Sequence, residues 1–327
     1  MTAAIHRRHL LIAAAAACAS PLGAMAQGDW PQRPVRLIVP AAPGGASDRL
    51  ARLLVIGLGR VLGQPVIVDN RAGAGGVLGT GIAAKSAADG YTLLFTGAFN
   101  VINPGLYARL PYDYVEDFDH VAPMTQGPNV LVTRPDFQAA TLTQLVELAR
   151  SKPGALDFAS GGNGTSGHLT MEIFQRAAGI KLNHVAYKGA APALQDVLAG
   201  VVPMIALNQD TALPYLKAGK LRALAVSSAR RNAALPEVPT FAEAGNVDVV
   251  VTSWAGVDAP RGTPPAVVAR LAAAVAESMK MPAIKGPLDA DGWVDFQAAP
   301  RDFDAFVRKE SARWARVIQA AGIRAES

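Results

Sequence analysis

The sequence predicts an α/β protein built as two lobes, and three observations lead to that class. Strand-like apolar runs alternate with helix-like amphipathic runs along most of the chain, an order that favours sheets covered by helices. About 300 residues remain after an N-terminal leader, more than one hydrophobic core usually supports. Glycine-bearing loops stand where strands pass into helices in both halves of the chain.

The first half of the chain reads strand, helix, strand, helix, strand. Residues 35–40 form an apolar run typical of a buried strand, and apolar residues recur at helical spacing over 48–62. Residues 66–68 predict a second strand, 78–88 a second helix and 91–96 a third strand. This order favours a parallel sheet with covered faces.

A second run of the same kind supplies enough elements for another lobe. It predicts strands over 129–133, 156–159, 183–186, 204–207 and 221–227, with helices over 141–151, 168–178 and 191–199 between them. The tail adds a strand over 249–257 and helices over 265–279 and 303–321. We therefore predict a first lobe formed by 27–128 and 252–327, a second lobe formed by 129–251, and two crossings between them.

The N-terminus has the tripartite order of a secretory signal peptide. Arg7 and Arg8 precede an apolar stretch of ten residues, and Ala24-Met25-Ala26 supplies a small-residue cleavage site. A helix that spans a bilayer needs about twenty apolar residues, so the stretch is too short for one. We expect residues 1–26 to be removed and the product, which begins at Gln27, to be periplasmic.

Two other export signals match less well. Arg7-Arg8 resembles a twin-arginine signal, and Cys18 resembles a lipidation site, although the residue three positions before it is alanine. Cys18 is the only cysteine, so cleavage after Ala26 leaves a chain without disulfides or thiol chemistry. Removing the two arginines of the leader lowers the net charge from +5 to +3, which argues against nucleic-acid binding.

Three glycine-bearing loops are the candidate binding elements. They span 42–48, 70–76 and 160–168, each at the carboxyl edge of a predicted strand, where open α/β sheets place their ligands. Glycine lets the backbone approach a ligand closely, and the N–H groups that begin the next helix favour an anion. For any one loop taken alone, a turn followed by a helix cap is the favoured explanation, with Ser47 or Asp48 as the capping residue of the first loop. Three such loops across both halves favour an anion pocket.

The patterns required by an enzyme or cofactor site are incomplete. A dinucleotide-binding G-x-G-x-x-G motif would need glycine where Leu62 or Leu78 stands. His168 occupies the last glycine position of the hydrolase motif G-x-S-x-G, and His120, His168 and His184 lack the spacing of metal ligands. We therefore predict no catalysis, cofactor or metal site. His184, in an apolar strand, is interpreted as a hydrogen-bonded structural residue.

Eight sequence blocks stand in a fixed order, at 34–48, 69–76, 89–94, 103–113, 162–169, 184–189, 219–226 and 235–245. Together they resemble the Bug family of extracytoplasmic solute receptors over nearly the whole mature chain. The resemblance implies a type II periplasmic-binding-protein-like fold, with two α/β lobes, a ligand cleft between them and two interlobe crossings. It also implies a monomer that captures a small organic anion, such as a di- or tricarboxylate or an aromatic acid, for membrane permease subunits of a tripartite tricarboxylate transporter. A receptor that docks on a membrane sensor kinase is the alternative, since it would have the same fold. An enzyme that processes carboxylates is a third, less favoured alternative.

The resemblance further implies which residues hold the ligand. Those of the first lobe belong to the two loops that hold one carboxylate: Pro43, Gly44, Gly45, Ser47, Asp48, Gly73, Ala74, Gly75 and Gly76. Those of the second lobe lie in the third loop or follow the strand over 204–207: Ser160, Asn163, Gly164, Thr165, Ser166, His168, Asn208 and Asp210.

One position departs from the family pattern. Leu207 stands where family members often carry an aspartate that can pair with a ligand ammonium group, so the resemblance disfavours an amino-acid ligand. Tyr187 and Lys188 either reach the cleft or face solvent. Trp254, at the proposed return crossing, is interpreted as packing inside the protein, because large aromatic side chains dominate buried contacts.

Overall fold

The computed structural model describes residues 30–296 and 302–323. The predicted signal peptide, its cleavage site at Ala26, the mature N-terminus at Gln27 and Cys18 lie outside the described residues. Within these ranges, no helix has the length and apolar character that crossing a bilayer requires.

Strands and helices alternate through the first part of the fold. The elements are β1 (Val35–Val39), α1 (Ala46–Leu62), β2 (Val66–Asn70), α2 (Val77–Ala84), β3 (Thr92–Gly97) and α3 (Ala98–Leu106). Leu50, Leu54 and Leu58 of α1 are buried, which matches the helical spacing of the apolar residues. The helix ends at Gly63, whose φ of 70° is the left-handed conformation that glycine adopts most readily.

The middle of the chain contributes β4 (Phe118–Thr133), α4 (Leu142–Ser151), β5 (Asp157–Ser160), α5 (Ser166–Ala178), β6 (Asn183–Ala186), α6 (Ala190–Ala199), β7 (Met204–Asn208), α7 (Gln209–Lys217), β8 (Arg222–Val226) and α8 (Phe241–Gly245). The last part contributes β9 (Thr252–Pro260), α9 (Pro265–Met279), α10 (Pro282–Ala290), β10 (Val294–Asp295) and α11 (Phe303–Ala321). The bounds of α9 and α11 are those predicted from their apolar periodicity.

The described strands form a mixed sheet in the order β2-β1-β3-β9-β4-β7-β5-β6, with β8 and β10 also paired to β4. β1 is parallel to β2 and β3, and β5 is parallel to β6 and β7. β9 runs antiparallel to β3 and β4, and β4 is antiparallel to β7. The expected parallel order therefore holds within each βαβ run, and it is wrong for β4 and β9, which run against their neighbours.

β4 is a single long strand that joins two sets of partners. It pairs with β9 up to Pro128, and from Asn129 onward it pairs with β7 and β8. The sequence predicted only its last five residues, because Pro123 and Pro128 interrupt the apolar pattern. Register shifts next to Ala122 and Pro123 let the strand continue through this irregular stretch.

Trp254 packs inside the protein, which confirms the interpretation made from the sequence. It is 4% exposed, and its ring meets Phe303 and Phe306 edge-on, with ring centroids 5.7 and 5.4 Å away. These contacts fasten α11 against β9. The C-terminal helix is thereby held on the strand that returns from the middle segment of the chain.

Four helices, α3, α7, α8 and α10, were not predicted from the sequence. Proline stands inside three of them, at Pro104, Pro214 and Pro287, and proline usually marks the end of a helix. α8 is only five residues long and begins with a capping box formed by Thr240 and Glu243. A short helix of this kind shows too little periodicity to be recognised.

Candidate functional site

The two glycine-bearing loops of the first lobe lie side by side, because β1 and β2 are parallel neighbours and their carboxyl ends meet at one edge. Asn70 joins these loops: its Nδ2 donates to the Ala41 carbonyl oxygen at 3.1 Å and to Asp48 Oδ1 at 3.0 Å. Pro43 and Gly44 are exposed, and Ser47 is half-buried. The two loops are thus held next to each other, with Pro43, Gly44 and Ser47 accessible.

Asp48 organises the first of these loops from within. It is 3% exposed, and its Oδ2 accepts hydrogen bonds from Gly44 N and Arg52 Nε, both at 2.9 Å. Burial opposes ionisation, but the hydrogen bonds from Arg52, Gly44 and Asn70 outweigh it and hold the pKa of Asp48 below its ordinary value. The carboxylate therefore faces the loop's own donors and shapes the loop, and its contact with a ligand stays a prediction.

Neither Ser47 nor Asp48 caps α1, contrary to the capping alternative. The N-cap residue is Gly45, and no side chain caps the helix. The helix therefore starts two residues before the predicted position, at Ala46. The first N–H groups of any helix lack an intrahelical acceptor, so this start offers backbone donors next to the loop.

The backbone of the second loop lies close to the third loop. Gly73, Ala74, Gly75 and Gly76 all have positive φ, and the value for Gly75 is 62°. A Cβ atom on Gly75 would lie 3.3 Å from the Tyr107 hydroxyl and 3.5 Å from the carbonyl oxygen of Asn163. Asn163 belongs to the third loop, so Gly75 marks a point at which the second and third glycine-bearing loops approach each other.

The third loop is held together by its own hydrogen bonds. Thr165 is the N-cap of α5: its Oγ1 accepts from His168 N at 3.4 Å and donates to the Gly162 carbonyl oxygen at 2.8 Å. Gly164 N donates to His168 Nδ1 at 3.2 Å. Ser160 Oγ lies 2.7 Å from His184 Nε2, which confirms His184 as a hydrogen-bonded structural residue.

Two of the residues predicted as ligand contacts in the third loop are buried. Ser160 and His168 are 0% and 4% exposed. The rings of His168 and His184 stack with centroids 4.1 Å apart, and His184 stacks in turn on Phe158. Ser160 and His168 therefore fix the loop's shape, and their contact with a ligand stays a prediction.

Burial keeps both stacked histidines neutral. It lowers the pKa of His168 to about 3, with an added repulsive effect of the neighbouring His184. It lowers the pKa of His184 to about 4. A neutral His168 can accept the Gly164 N–H bond at Nδ1, so the charge state and the loop geometry agree.

A polar cluster joins the start of α5 to the strands that connect the lobes. Ser166 Oγ lies 3.0 Å from Asn129 Oδ1 and 3.2 Å from Asn208 Oδ1. Asn208 Nδ2 lies 3.4 Å from Ser253 Oγ on β9. Ser166 and Asn208, both predicted as ligand contacts, thus lie within hydrogen-bond distance of each other. Asn129 and Ser253 were not selected as site residues from the sequence. The signal that could have identified them is a polar residue at the edge of an apolar strand.

Asp210 is a buried carboxylate with a cationic partner, and its contact with a ligand stays a prediction. It is 1% exposed and pairs with Arg49, whose Nη2 lies 2.8 Å from Oδ2. Burial raises the pKa of Asp210, and the charge of Arg49 opposes that shift. Leu207 is also buried, among apolar side chains. This wall therefore presents no unpaired acid to an ammonium group at either position.

The third loop also rests on α3, which the sequence did not predict as a helix. A Cβ atom on Gly164 would lie 2.3 Å from Leu106 Cδ1, and the φ of 78° at Gly164 also favours glycine. Asn103 Nδ2 donates to the Gly75 carbonyl oxygen at 3.1 Å, and its buried Oδ1 has no hydrogen-bond partner among the described residues. In the sequence, Asn103 stood out only as a member of the block at 103–113, one of the eight blocks that carry the family resemblance.

Tyr187 and Lys188 lie at the edge of this region. The Tyr187 hydroxyl donates to Asp196 Oδ2 at 2.6 Å. That hydrogen bond, with some burial, raises the pKa of Tyr187 to about 12. Lys188 is exposed. Within 30–296 and 302–323, no three His, Cys, Asp or Glu side chains are grouped so that they could hold a metal ion.

Comparison with protein families gives a match over residues 50–323 to the receptor of the tripartite tricarboxylate transporter family. Among curated proteins, BugT of Bordetella pertussis is 39% identical over 311 residues, which cover 94% of each chain. Solved structures agree. Rpa4515 of Rhodopseudomonas palustris with adipate is 35% identical, with a TM-score of 0.86 over 91% of this chain and 100% of that one.

Two further structures show the same similarity. MatC of R. palustris with bound malate is 32% identical, with a TM-score of 0.83 over 88% of this chain and 100% of that one. The periplasmic binding protein BugD is 31% identical, with a TM-score of 0.85 over 91% of this chain and 100% of that one. The likeness to these structures confirms the two-lobed α/β binding-protein fold predicted from the sequence.

Proposed function

The chain belongs to the receptor family of tripartite tricarboxylate transporters, and on that basis we propose that it binds a small organic carboxylate in the periplasm and delivers it to a membrane permease. The observation that carries the proposal is the meeting of loops from both lobes, where Gly75 approaches Asn163. The adipate and malate held by two similar proteins support the choice of ligand class.

Backbone donors account for recognition of an anion. The start of α1 follows the first loop, and the start of α5 follows the third. Helix starts carry partial positive charge, and each contributes on the order of 0.3 to 1 kcal/mol toward a nearby anion, more where water is excluded. Such donors select for a carboxylate without selecting its carbon skeleton. We propose Gly45, Ser47, the 73–76 loop, Asn163, Thr165 and Ser166 as the contacts.

We propose that the lobes are residues 27–128 with 252–327, and residues 129–251, and that they hinge at the crossings. The change of partners of β4 between Pro128 and Asn129 supports the first boundary. The start of β9 at Thr252 supports the second. A ligand held by loops of both lobes favours the closed state through the contacts it makes only there.

Binding without chemistry on the ligand is the function that these groups favour. Ser160 and His184 are within hydrogen-bond distance, as a nucleophile and base would be. Ser160 is 0% exposed, and the pKa of His184 is lowered to about 4. A buried hydroxyl beside a weakly basic ring is a poor nucleophile for any substrate in the cleft.

The proposal includes export with cleavage after Ala26 and function as a monomer. A thermal-shift screen of the purified mature protein against dicarboxylates, tricarboxylates and aromatic acids tests the ligand class. Small-angle scattering with the best acid tests closure, because the protein should become more compact. A screen without any stabilising acid contradicts the proposal, and so does scattering that saturating ligand leaves unchanged.

A further inference from the structure

Arg49 connects two acidic side chains that come from different parts of the fold. Its Nη2 lies 2.8 Å from Asp210 Oδ2 and 2.9 Å from Asp291 Oδ2. Arg49 is in the first turn of α1, Asp210 is in the first turn of α7, and Asp291 follows α10. One arm of this bridge therefore crosses between the lobes, and the other remains within the first lobe.

The turn formed by Asp291 and Gly292 of the first lobe also contacts two polar side chains of the second lobe, Gln209 and Asn232. Gln209 Nε2 donates to Asn232 Oδ1 at 3.0 Å and approaches the Asp291 carbonyl oxygen at 3.4 Å. Asn232 Nδ2 donates to the Gly292 carbonyl oxygen at 2.8 Å. A Cβ atom on Gly292 would lie 1.8 Å from Gln209 Nε2, and the φ of 79° at Gly292 also favours glycine.

The two arms of the bridge differ in burial. The Asp210 side chain is 0% exposed, whereas the side chains of Arg49 and Asp291 are 41% and 40% exposed. A buried carboxylate left without its partner is strongly destabilised, whereas an exposed ion pair contributes little. The interlobe arm is therefore the one whose loss should change how the lobes sit together.

The bridge is also adjacent to the binding loops in sequence. Arg49 directly follows Asp48, which shapes the first loop, and Asp210 lies two residues after Asn208, which contacts Ser166. We propose that Arg49 is a positioning residue for ligand capture, and that its ion pair with Asp210 ties the first-lobe anion loop to the second lobe and stabilises closure. This role rests on the function proposed above.

Matched substitutions separate the two arms. Asp210→Asn removes the interlobe acid, and Asp291→Asn removes an acid at nearly the same distance from the same nitrogen. Arg49→Met removes the cation and keeps much of the side-chain length. Arg49→Lys keeps the charge and should therefore retain most of the wild-type interlobe distance and affinity. Circular dichroism melts establish that each variant is folded before it is compared.

Two measurements test the proposal. Nitroxides on Lys85→Cys and Lys152→Cys, on exposed positions of the first and second lobes, report the interlobe distance by pulsed electron resonance without any ligand. Calorimetry with adipate and with malate reports affinity. We expect Arg49→Met and Asp210→Asn to lengthen the interlobe distance and weaken binding about tenfold. The double variant should be no worse than either single variant, and Asp291→Asn should change both readouts far less.

Three results overturn the proposal. Interlobe distances that none of the substitutions alters would show that the pair does not position the lobes. Equal effects of Asp210→Asn and Asp291→Asn would reduce the bridge to a local charge effect. Loss of binding in Asp210→Asn but not in Arg49→Met would make Asp210 a direct ligand contact. If wild type binds neither acid, the proposed ligand class fails for these probes, and the ligand-free distances still decide the role of Arg49.

Discussion

Gly75→Val should damage ligand binding far more than it damages the fold. Gly75 has a φ of 62°, and a Cβ atom there would already lie 3.5 Å from the Asn163 carbonyl oxygen. The γ-methyl groups of valine extend about 1.5 Å beyond Cβ. The third loop must therefore move away from Gly75, so donors of the two lobes can no longer grip one ligand together.

The expected size follows from these contacts. The left-handed backbone costs an L-residue about 1 to 2 kcal/mol, which corresponds to a few degrees in melting temperature. Each hydrogen bond to a charged ligand group contributes about 1.5 to 3 kcal/mol, so losing one weakens binding about 10- to 100-fold. Calorimetry with the best organic acid and a thermal melt measure the two effects separately.

Gly219→Val is the matched control. Gly219 has a φ of 65°, and an added Cβ atom would meet nothing within 4 Å. It should therefore show a similar loss of stability and wild-type affinity. If Gly75→Val binds like Gly219→Val, the second loop does not contribute to the site, and the argument from its approach to Asn163 is wrong.

Three more predictions can be tested directly. Thr165→Val removes the N-cap of α5 and should cost about 1 kcal/mol of stability while weakening, but not abolishing, ligand binding; unchanged calorimetry and an unchanged melt would contradict this. Burial places the pKa values of His168 and His184 at about 3 and about 4, below their value of about 6.5 in the unfolded chain. The unfolded state therefore takes up more protons, so stability should be complete above about pH 6.5 and decline as pH falls toward 4, and His168→Phe should flatten the decline measured by pH-dependent melts. N-terminal sequencing of the exported protein should give Gln27, whereas a lipidated Cys18 or a retained leader would contradict simple cleavage.

The regular elements were predictable where the apolar period was strong. α9 and α11 have the predicted bounds, and α1 differs by two residues at its start. β4 was recognised only in part, because proline and glycine interrupt its apolar pattern while pairing with β9 holds the strand extended. Periodicity reports one element at a time, and such a strand is maintained by partners that are distant in sequence.

The positions of the three glycine-bearing loops could be predicted from the sequence, but the partners of their polar side chains could not. The sequence places Asp48 and His168 beside the glycines and Asp210 just after a strand, and all three are buried and bonded inside the protein. The partner of Asp210 is Arg49, which lies 161 residues away along the chain. A loop motif identifies where a ligand is held, whereas contacts across the fold decide which polar groups remain available to it.

The most direct test is calorimetric titration of the mature protein with organic acids and with matched neutral analogues, such as adipate against adipamide. We predict that at least one dicarboxylate, tricarboxylate or aromatic acid binds with micromolar affinity, a binding free energy of about 8 kcal/mol. The matched amide should not bind. An amide that binds as tightly as its acid, or an absence of binding by every acid at millimolar concentration, would contradict carboxylate capture.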